Sequence, residues 1–374
     1  MTLNLDEYFN AYASDYSYYK GGSWCYEDGC LYRGLIALYG ASGNRQWFSH
    51  MNRLIDGQIS DNGELRGYSI PEYNIDHILP GRALITLYKA DPQPRYRTAL
   101  DHLLRQLQSH PRTSAGPHWH KLRYPHQIWL DGLYMALPFK VEYGALIGDN
   151  ALVDEALDEM LTALELTFDA PSGLFRHGYD EERLQAWANP QTGLSPAHWA
   201  RSIGWLCMAL ADTIEVAPPS EKRDALSQWF ASLLVRLEAL RTADGRWLQV
   251  IDQPQLDGNY AESSATAMFA YAFIKAARLG VKNGDAAVGI KALTSLEENA
   301  LKPNASGRIV LQDICCVAGL GGFEGNYRDG TPAYYVSETL RDDDIKGVAP
   351  LMMAHAERLL AMVGVSEQTA RIAS

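Results

Sequence analysis

Two kinds of apolar pattern alternate along the chain. Segments 96–110, 150–167 and 220–241 repeat apolar residues at helical spacing and keep one polar face, as a helix on the outside of a protein does. Six other segments are apolar nearly all round and open on polar or aromatic residues: they start at Trp24, Asn74, Trp129, His198, Tyr260 and Asp342. A helix apolar on every side belongs in an interior. Tyr26, Asp76, Asp131, Arg201, Glu262 and Lys346 mark these inner segments at intervals of 50 to 84 residues, each interval holding one inner and one outer helix. Such alternation is the mark of a repeated helical hairpin. The pattern predicts an all-α fold, an (α/α)6 toroid of six helical hairpins, with an open curved solenoid as the alternative.

In the closed ring the inner helices start at one rim, where their unpaired N–H groups favour anions, so the cleft is expected there. Residues 307–337 break the helical pattern and form the longest irregular connection, a candidate cover for that cleft. No Pro/Gly-rich linker divides the chain, and one catalytic domain over 1–374 is expected.

Composition narrows the partners. Charged residues make up 21% of the chain, and 33 Lys and Arg against 45 Asp and Glu leave a net charge of −12 with no basic block. A nucleic-acid surface needs clustered cations and is not expected. Five cysteines, an odd number with Cys315 and Cys316 adjacent, fit a reducing compartment better than a disulfide framework. The N-terminus has no basic start followed by an apolar run, and even Thr266 to Val281 is interrupted by Lys275 and Arg278. No secretory signal and no membrane span are expected, and the location read from this is cytoplasmic. Oligomeric state has no readable signal.

Several motifs carry no chemistry. His110, His118, His120 and His126 crowd a short stretch, but no His-Glu-x-x-His, Cys-x-x-Cys or spaced carboxylate fixes a coordination sphere, so no metal is expected. The run Gly319 to Gly325 matches neither a P-loop nor a dinucleotide fingerprint, and no cofactor is expected. Asp342, Asp343 and Asp344 read as caps of the last inner helix.

Two aspartates stand apart. Asp76 in Asn-Ile-Asp-His and Asp131 in Trp-Leu-Asp-Gly open helices that are otherwise apolar, where an ionised carboxylate must be hydrogen-bonded, paired or protonated. Either one alone reads as a cap; two on neighbouring inner helices favour function. Trp24, Trp129, Trp199, His120, Lys121, His177 and Arg201 open onto the same rim. Indole faces carry sugar rings, cations fix carboxylates and histidine donates to hydroxyls, so the site expected is one for a sugar acid.

The run from His118 to Ala136, containing Trp-His-Lys and Trp-Leu-Asp-Gly-Leu-Tyr-Met, resembles the signature of the unsaturated rhamnogalacturonyl hydrolases, glycoside hydrolase family 105. Tyr73 to Asp76, Leu174 to Gly178, His198 to Trp205, Asn259 to Met268 and Lys346 to Pro350 extend the resemblance from residue 24 to about 358. Ser202-Ile203 departs from the Gly-Asn more often found there. The related unsaturated glucuronyl hydrolases of glycosaminoglycan fragments share the fold and the aspartate pair. The resemblance implies a small oligosaccharide substrate carrying a 4,5-unsaturated uronate, with Asp131 as general acid and base and Asp76 as its partner. It also implies that His120, Lys121, His177, Trp199 and Arg201 bind substrate, with Trp129 a further candidate. Leu130, Leu133 and Asp76 are expected to raise the Asp131 pKa. An ordinary inverting glycosidase, a sugar epimerase and a non-catalytic carbohydrate-binding protein are the rival readings.

Overall fold

The computed structural model describes residues 4–372, with side chains placed as far as 363. Its helices are α1 (Leu5–Asp15), α2 (Tyr26–Ser42), α3 (Arg45–Asp56), α4 (Gly81–Ala90), α5 (Pro94–Ser109), α6 (Leu130–Ile147) and α7 (Asn150–Thr167). They continue with α8 (Ala200–Val216), α9 (Glu221–Ala239), α10 (Ser263–Arg278), α11 (Ala286–Asn299), α12 (Pro332–Ser337) and α13 (Ile345–Ile372). None of them is long and apolar enough to cross a membrane.

The inner helices are α2, α4, α6, α8, α10 and α13, each packed on the next, and α13 packs back on α2. That contact closes the (α/α)6 toroid and removes the solenoid. One apolar cluster runs through the ring from Leu5 to Ala356. The outer helices are set by local signals as well as by their apolar stripe. Asp149 accepts the Leu152 amide to start α7, Ser220 accepts that of Arg223 to start α9, and Gly43 and Gly148 end α2 and α6 with positive φ.

Four two-stranded antiparallel ribbons decorate the ends of the helices: β1 (Gln127–Trp129) with β4 (Gly178–Asp180), and β2 (Phe168–Asp169) with β3 (Leu174–Phe175). The other two are β5 (Leu301–Pro303) with β6 (Ile309–Leu311), and β7 (Gly321–Phe323) with β8 (Asn326–Arg328). The second inner segment is not one helix. Its opening is a 3-10 turn, Ile75–Ile78, and α4 follows after Pro80. Gly29 on α2 permits this: a Cβ there would stand 2.7 Å from the Pro80 ring and 2.9 Å from its backbone nitrogen. The turn that carries Asp76 therefore lies directly against α2.

Candidate active site

Backbone pairing assembles the site. Segment 120–122 pairs with 73–75 through Ile75 N–H to the His120 carbonyl (3.3 Å) and Leu122 N–H to the Tyr73 carbonyl (3.0 Å), which brings Lys121 and His120 to Asp76. The His120 N–H in turn donates to the Gln127 carbonyl at 2.8 Å. β1 then pairs with β4, Trp129 opposite Gly178, and Leu130 N–H donates to the His177 carbonyl at 3.0 Å. His177 is thereby delivered to Asp131, the next residue along α6.

These elements frame a cleft of about 460 Å³ at the start of the inner helices. Asp76, His120, Lys121, Trp129 and Asp131 line one side, and Trp24 and Tyr26 line another. The 307–337 connection supplies Val317, Phe323, Glu324 and Arg328, so the irregular stretch does form part of the cleft wall. Arg328 secures the β7–β8 hairpin by donating to the Tyr124 hydroxyl (2.8 Å) and the Leu320 carbonyl (3.0 Å), with its guanidinium 4.8 Å from the Phe323 ring centre.

The two aspartates have different surroundings. Lys121 Nζ lies 2.5 Å from Asp76 Oδ2 and His120 Nε2 lies 3.8 Å from Oδ1. Burial alone would raise the Asp76 pKa, but these neighbours outweigh it and bring it down to about 2, so Asp76 is a fixed anion. His177 Nε2 approaches Asp131 Oδ2 to 3.1 Å, within ion-pair reach but off the line of a well-formed hydrogen bond. Burial pushes the Asp131 carboxyl up, and the His177 contact pulls it further down, below the ordinary value. The expectation of a raised pKa is therefore corrected for the resting cleft: the apolar neighbours and Asp76 do act upward, but the histidine wins.

His120 is packed by its ring, 4.4 Å from Trp129 at 17°. Burial pushes its pKa down to about 3, so it stands neutral beside both carboxylates. Gly132 makes room for it, since a Cβ there would come within 3.1 Å of His120 Nδ1.

His177, Trp199 and Arg201 lie immediately behind the cleft wall and are buried. Trp199 packs 4.9 Å from His177, stacks on Tyr335 at 5.6 Å and carries the Arg201 guanidinium 5.0 Å from its ring centre. Arg201 donates to Ser264 Oγ at 3.2 Å, and its Nη2 has no hydrogen-bond partner among the described residues. Five of the eight expected site residues thus line the cleft, and three form its backing, joined through His177. Tyr335 on α12 and Arg328 on β8 are the neighbours that the sequence reading did not single out. The signal open to it was their place in the 307–337 connection.

The crowded histidines separate in space. His118 pairs with Glu159 at 2.5 Å, which also holds the buried Lys140 at 3.0 Å, and His110 bonds the Trp119 carbonyl at 2.8 Å. His126, Glu181 and Glu182 form the one trio among the described residues whose potential metal-ligand atoms fall within 4.8 Å of one another, and none of the three lines the cleft.

Comparison with known proteins reaches along most of the chain. The family model described as Glycosyl Hydrolase Family 88 matches residues 6–362. A solved family 105 glycoside hydrolase of C. acetobutylicum superposes with a TM-score of 0.89 at 36% identity, covering 95% of this chain and 99% of that one. The unsaturated rhamnogalacturonyl hydrolase YesR of Bacillus subtilis is 26% identical over 275 residues, 70% of this chain and 73% of that protein. The unsaturated glucuronyl hydrolase of Bacillus sp. GL1 shares the fold, with a TM-score of 0.65 at 15% identity over 91% of this chain and 87% of that one.

Proposed function

This chain belongs to Glycosyl Hydrolase Family 88 and is a glycosidase, and on that premise we propose that it releases a 4,5-unsaturated uronic acid from the non-reducing end of lyase-generated oligosaccharides. The substrate that fits best is the unsaturated rhamnogalacturonan disaccharide, in keeping with the likeness to YesR. The observation that carries this reading is the meeting of Asp76 and Asp131 on one cleft, where the Asp76 charge acts upward on the Asp131 carboxyl and His120 bears on both.

The chemistry follows from the substrate. The C4=C5 double bond is conjugated with the ring oxygen, so C4 is basic. Asp131 protonates C4 and C5 becomes an oxocarbenium ion. Water adds at C5, returning its proton to Asp131, and the hemiketal opens and expels the neighbouring sugar. No attack at C1 is needed, unlike either two-carboxylate route.

Asp131 needs a proton that it does not hold at rest. An arriving uronate supplies the change: its carboxylate adds a like charge to the cleft and its ring displaces water, and both favour the neutral acid. Asp76, a fixed anion, holds Lys121 in the cleft wall. Lys121 is the candidate cation for the substrate carboxylate, because Arg201 lies behind that wall. His120 and Trp129 offer donors and an apolar face to the sugar.

The test is to follow ultraviolet absorbance of the conjugated uronate on two substrates, the rhamnogalacturonan disaccharide and an unsaturated glycosaminoglycan disaccharide. Absorbance should fall faster with the first. Asp131→Asn should lower kcat by about 100- to 10,000-fold while the disaccharide still binds. A faster fall with the second substrate would move the specificity to glycosaminoglycans, and wild-type protein that leaves both signals intact would refute the reading.

A further inference from the structure

The wall behind Asp131 contains one side chain with no role so far. Tyr335 lies on α12, inside the connection that lines part of the cleft, and it is fully buried. Its hydroxyl stands 2.6 Å from His177 Nδ1 and has no other hydrogen-bond partner among the described residues. On the opposite edge of the same imidazole, Nε2 faces Asp131 Oδ2 at 3.1 Å. Three groups from three parts of the chain therefore meet at one imidazole: a phenol, the ring itself and the carboxyl assigned to proton transfer.

The tautomer follows from counting donors. A tyrosine hydroxyl has one hydrogen, and the acceptor it reaches in this buried pocket is His177 Nδ1. If Nδ1 carried its own proton, as the other tautomer or the imidazolium requires, the phenol oxygen would accept and the phenol hydrogen would be buried without a partner. An unsatisfied buried donor is costly, so the arrangement that satisfies the phenol has Tyr335 donating to Nδ1 and the ring proton on Nε2, 3.1 Å from Asp131 Oδ2. Burial also pushes the phenol pKa well up, so the hydrogen stays on Tyr335.

We propose that Tyr335 is a positioning residue for Asp131: by donating to His177 Nδ1 it fixes the imidazole with an N–H on Nε2, facing the carboxyl that must take up and release the proton. The inference rests on the assignment of Asp131 above and adds to it. Without that bond Nδ1 is free to accept a further proton, and an imidazolium beside Asp131 would hold it as carboxylate. The phenol is itself fixed. Gln249 Nε2 donates to the Tyr335 carbonyl at 3.0 Å, Gln249 Oε1 accepts from Trp199 Nε1 at 3.1 Å, and Trp199 lies nearly parallel to the Tyr335 ring at 16°. This gives the covering segment a second task besides walling the cleft: it brings the group that sets the state of His177. The remaining ionisable groups that bear on the trio are His120 and Asp76 from the cleft wall, and Tyr334, Arg328 and Cys315 from the covering segment.

Two measurements test it. In the wild-type protein, nitrogen-15 NMR of histidine, with the His177 signals identified by their loss in His177→Gln, should show a protonated Nε2 and an unprotonated, hydrogen-bonded Nδ1. A protonated Nδ1 in the neutral ring would overturn the proposal without any variant of Tyr335. In Tyr335→Phe the ring stacking and the backbone bond from Gln249 are retained, and only the hydroxyl is lost. That variant should lose about tenfold in kcat with little change in KM, and the alkaline limb of its kcat profile should move to lower pH by about one unit, since one unit is a factor of ten. Unchanged kcat and an unmoved limb would overturn it, as would an equal rise in KM with no shift of the limb, which is the signature of a merely structural loss. The tautomer needs no substrate. A wild-type protein inactive on unsaturated uronates but with the Nε2–H tautomer would refute the function, and the positioning role with it, leaving only the tautomer. An active wild type with an indifferent Tyr335→Phe would refute the positioning and leave the function intact.

Discussion

At the scale of single residues the site is a set of neutralised charges with one exception. Asp76 is answered by Lys121 and stays an anion through the working range. Asp131 is answered only by an imidazole that approaches off-line, so its proton affinity depends on what enters the cleft. In the free enzyme the acid form is scarce above the ordinary carboxylate range, because the His177 contact holds the Asp131 pKa down. The value of kcat/KM should therefore climb as pH falls from 7 towards 5, and a profile flat over that range would place the acid elsewhere. Trp199 illustrates how position changes a prediction. Read from the sequence it is a sugar platform, and its loss should mainly weaken binding. In the structure it is buried against His177, Tyr335 and Arg201. Trp199→Ala should accordingly cost about 3–5 kcal/mol of stability, read by urea unfolding. An unchanged unfolding midpoint with a raised KM would restore the platform.

At the scale of elements, legibility tracked length and periodicity. Outer segment 150–167 coincides with α7, and 220–241 brackets α9, because a long stripe at helical spacing has few other homes. The start of the second inner segment was not legible as a 3-10 turn, since Asn74 to Leu79 is too short to distinguish the two spacings. The ribbons were beyond reach for the same reason: strands of two or three residues show no alternation, yet the β1–β4 pair is what sets His177 beside Asp131. Asp76 and Asp131 were legible as polar residues in apolar surroundings. Tyr335 and Arg328 were not, because they sit where no period frames them. The β7–β8 hairpin is held by Arg328, so Arg328→Ala should speed amide hydrogen exchange over 321–328 and raise KM several-fold. Exchange rates equal to wild type would show that the hairpin is secured by other contacts.

At the scale of the molecule, the ring closes because six helices apolar all round can bury themselves only against one another. They also share a charged knot that no apolar pattern announces. Asp212 of α8 is fully buried, with Arg82 of α4 at 2.8 Å, Lys275 of α10 at 2.6 Å and Arg33 of α2 at 3.6 Å. Glu142 and Glu215 neutralise Arg82 and Lys275 in part. Burial raises the Asp212 carboxyl, but the three cations bring it far below the ordinary range. Its folded pKa is depressed, so its contribution is present above the unfolded value and is lost only as acid titrates it. Asp212→Asn would leave buried cations short of an anion and should cost about 3–5 kcal/mol at neutral pH, read as a lower midpoint in urea. A midpoint within experimental scatter of wild type would mean that Glu142 and Glu215 suffice.

The central claim is that the double bond, and not the anomeric carbon, is where catalysis begins. It is tested most directly by a time course in heavy water that follows conjugated absorbance, released sugar and deuterium at C4 in one reaction. The account predicts that absorbance falls no later than sugar appears, and that one deuterium enters one face of C4 in every turnover. Sugar released while the absorbance persists would contradict it.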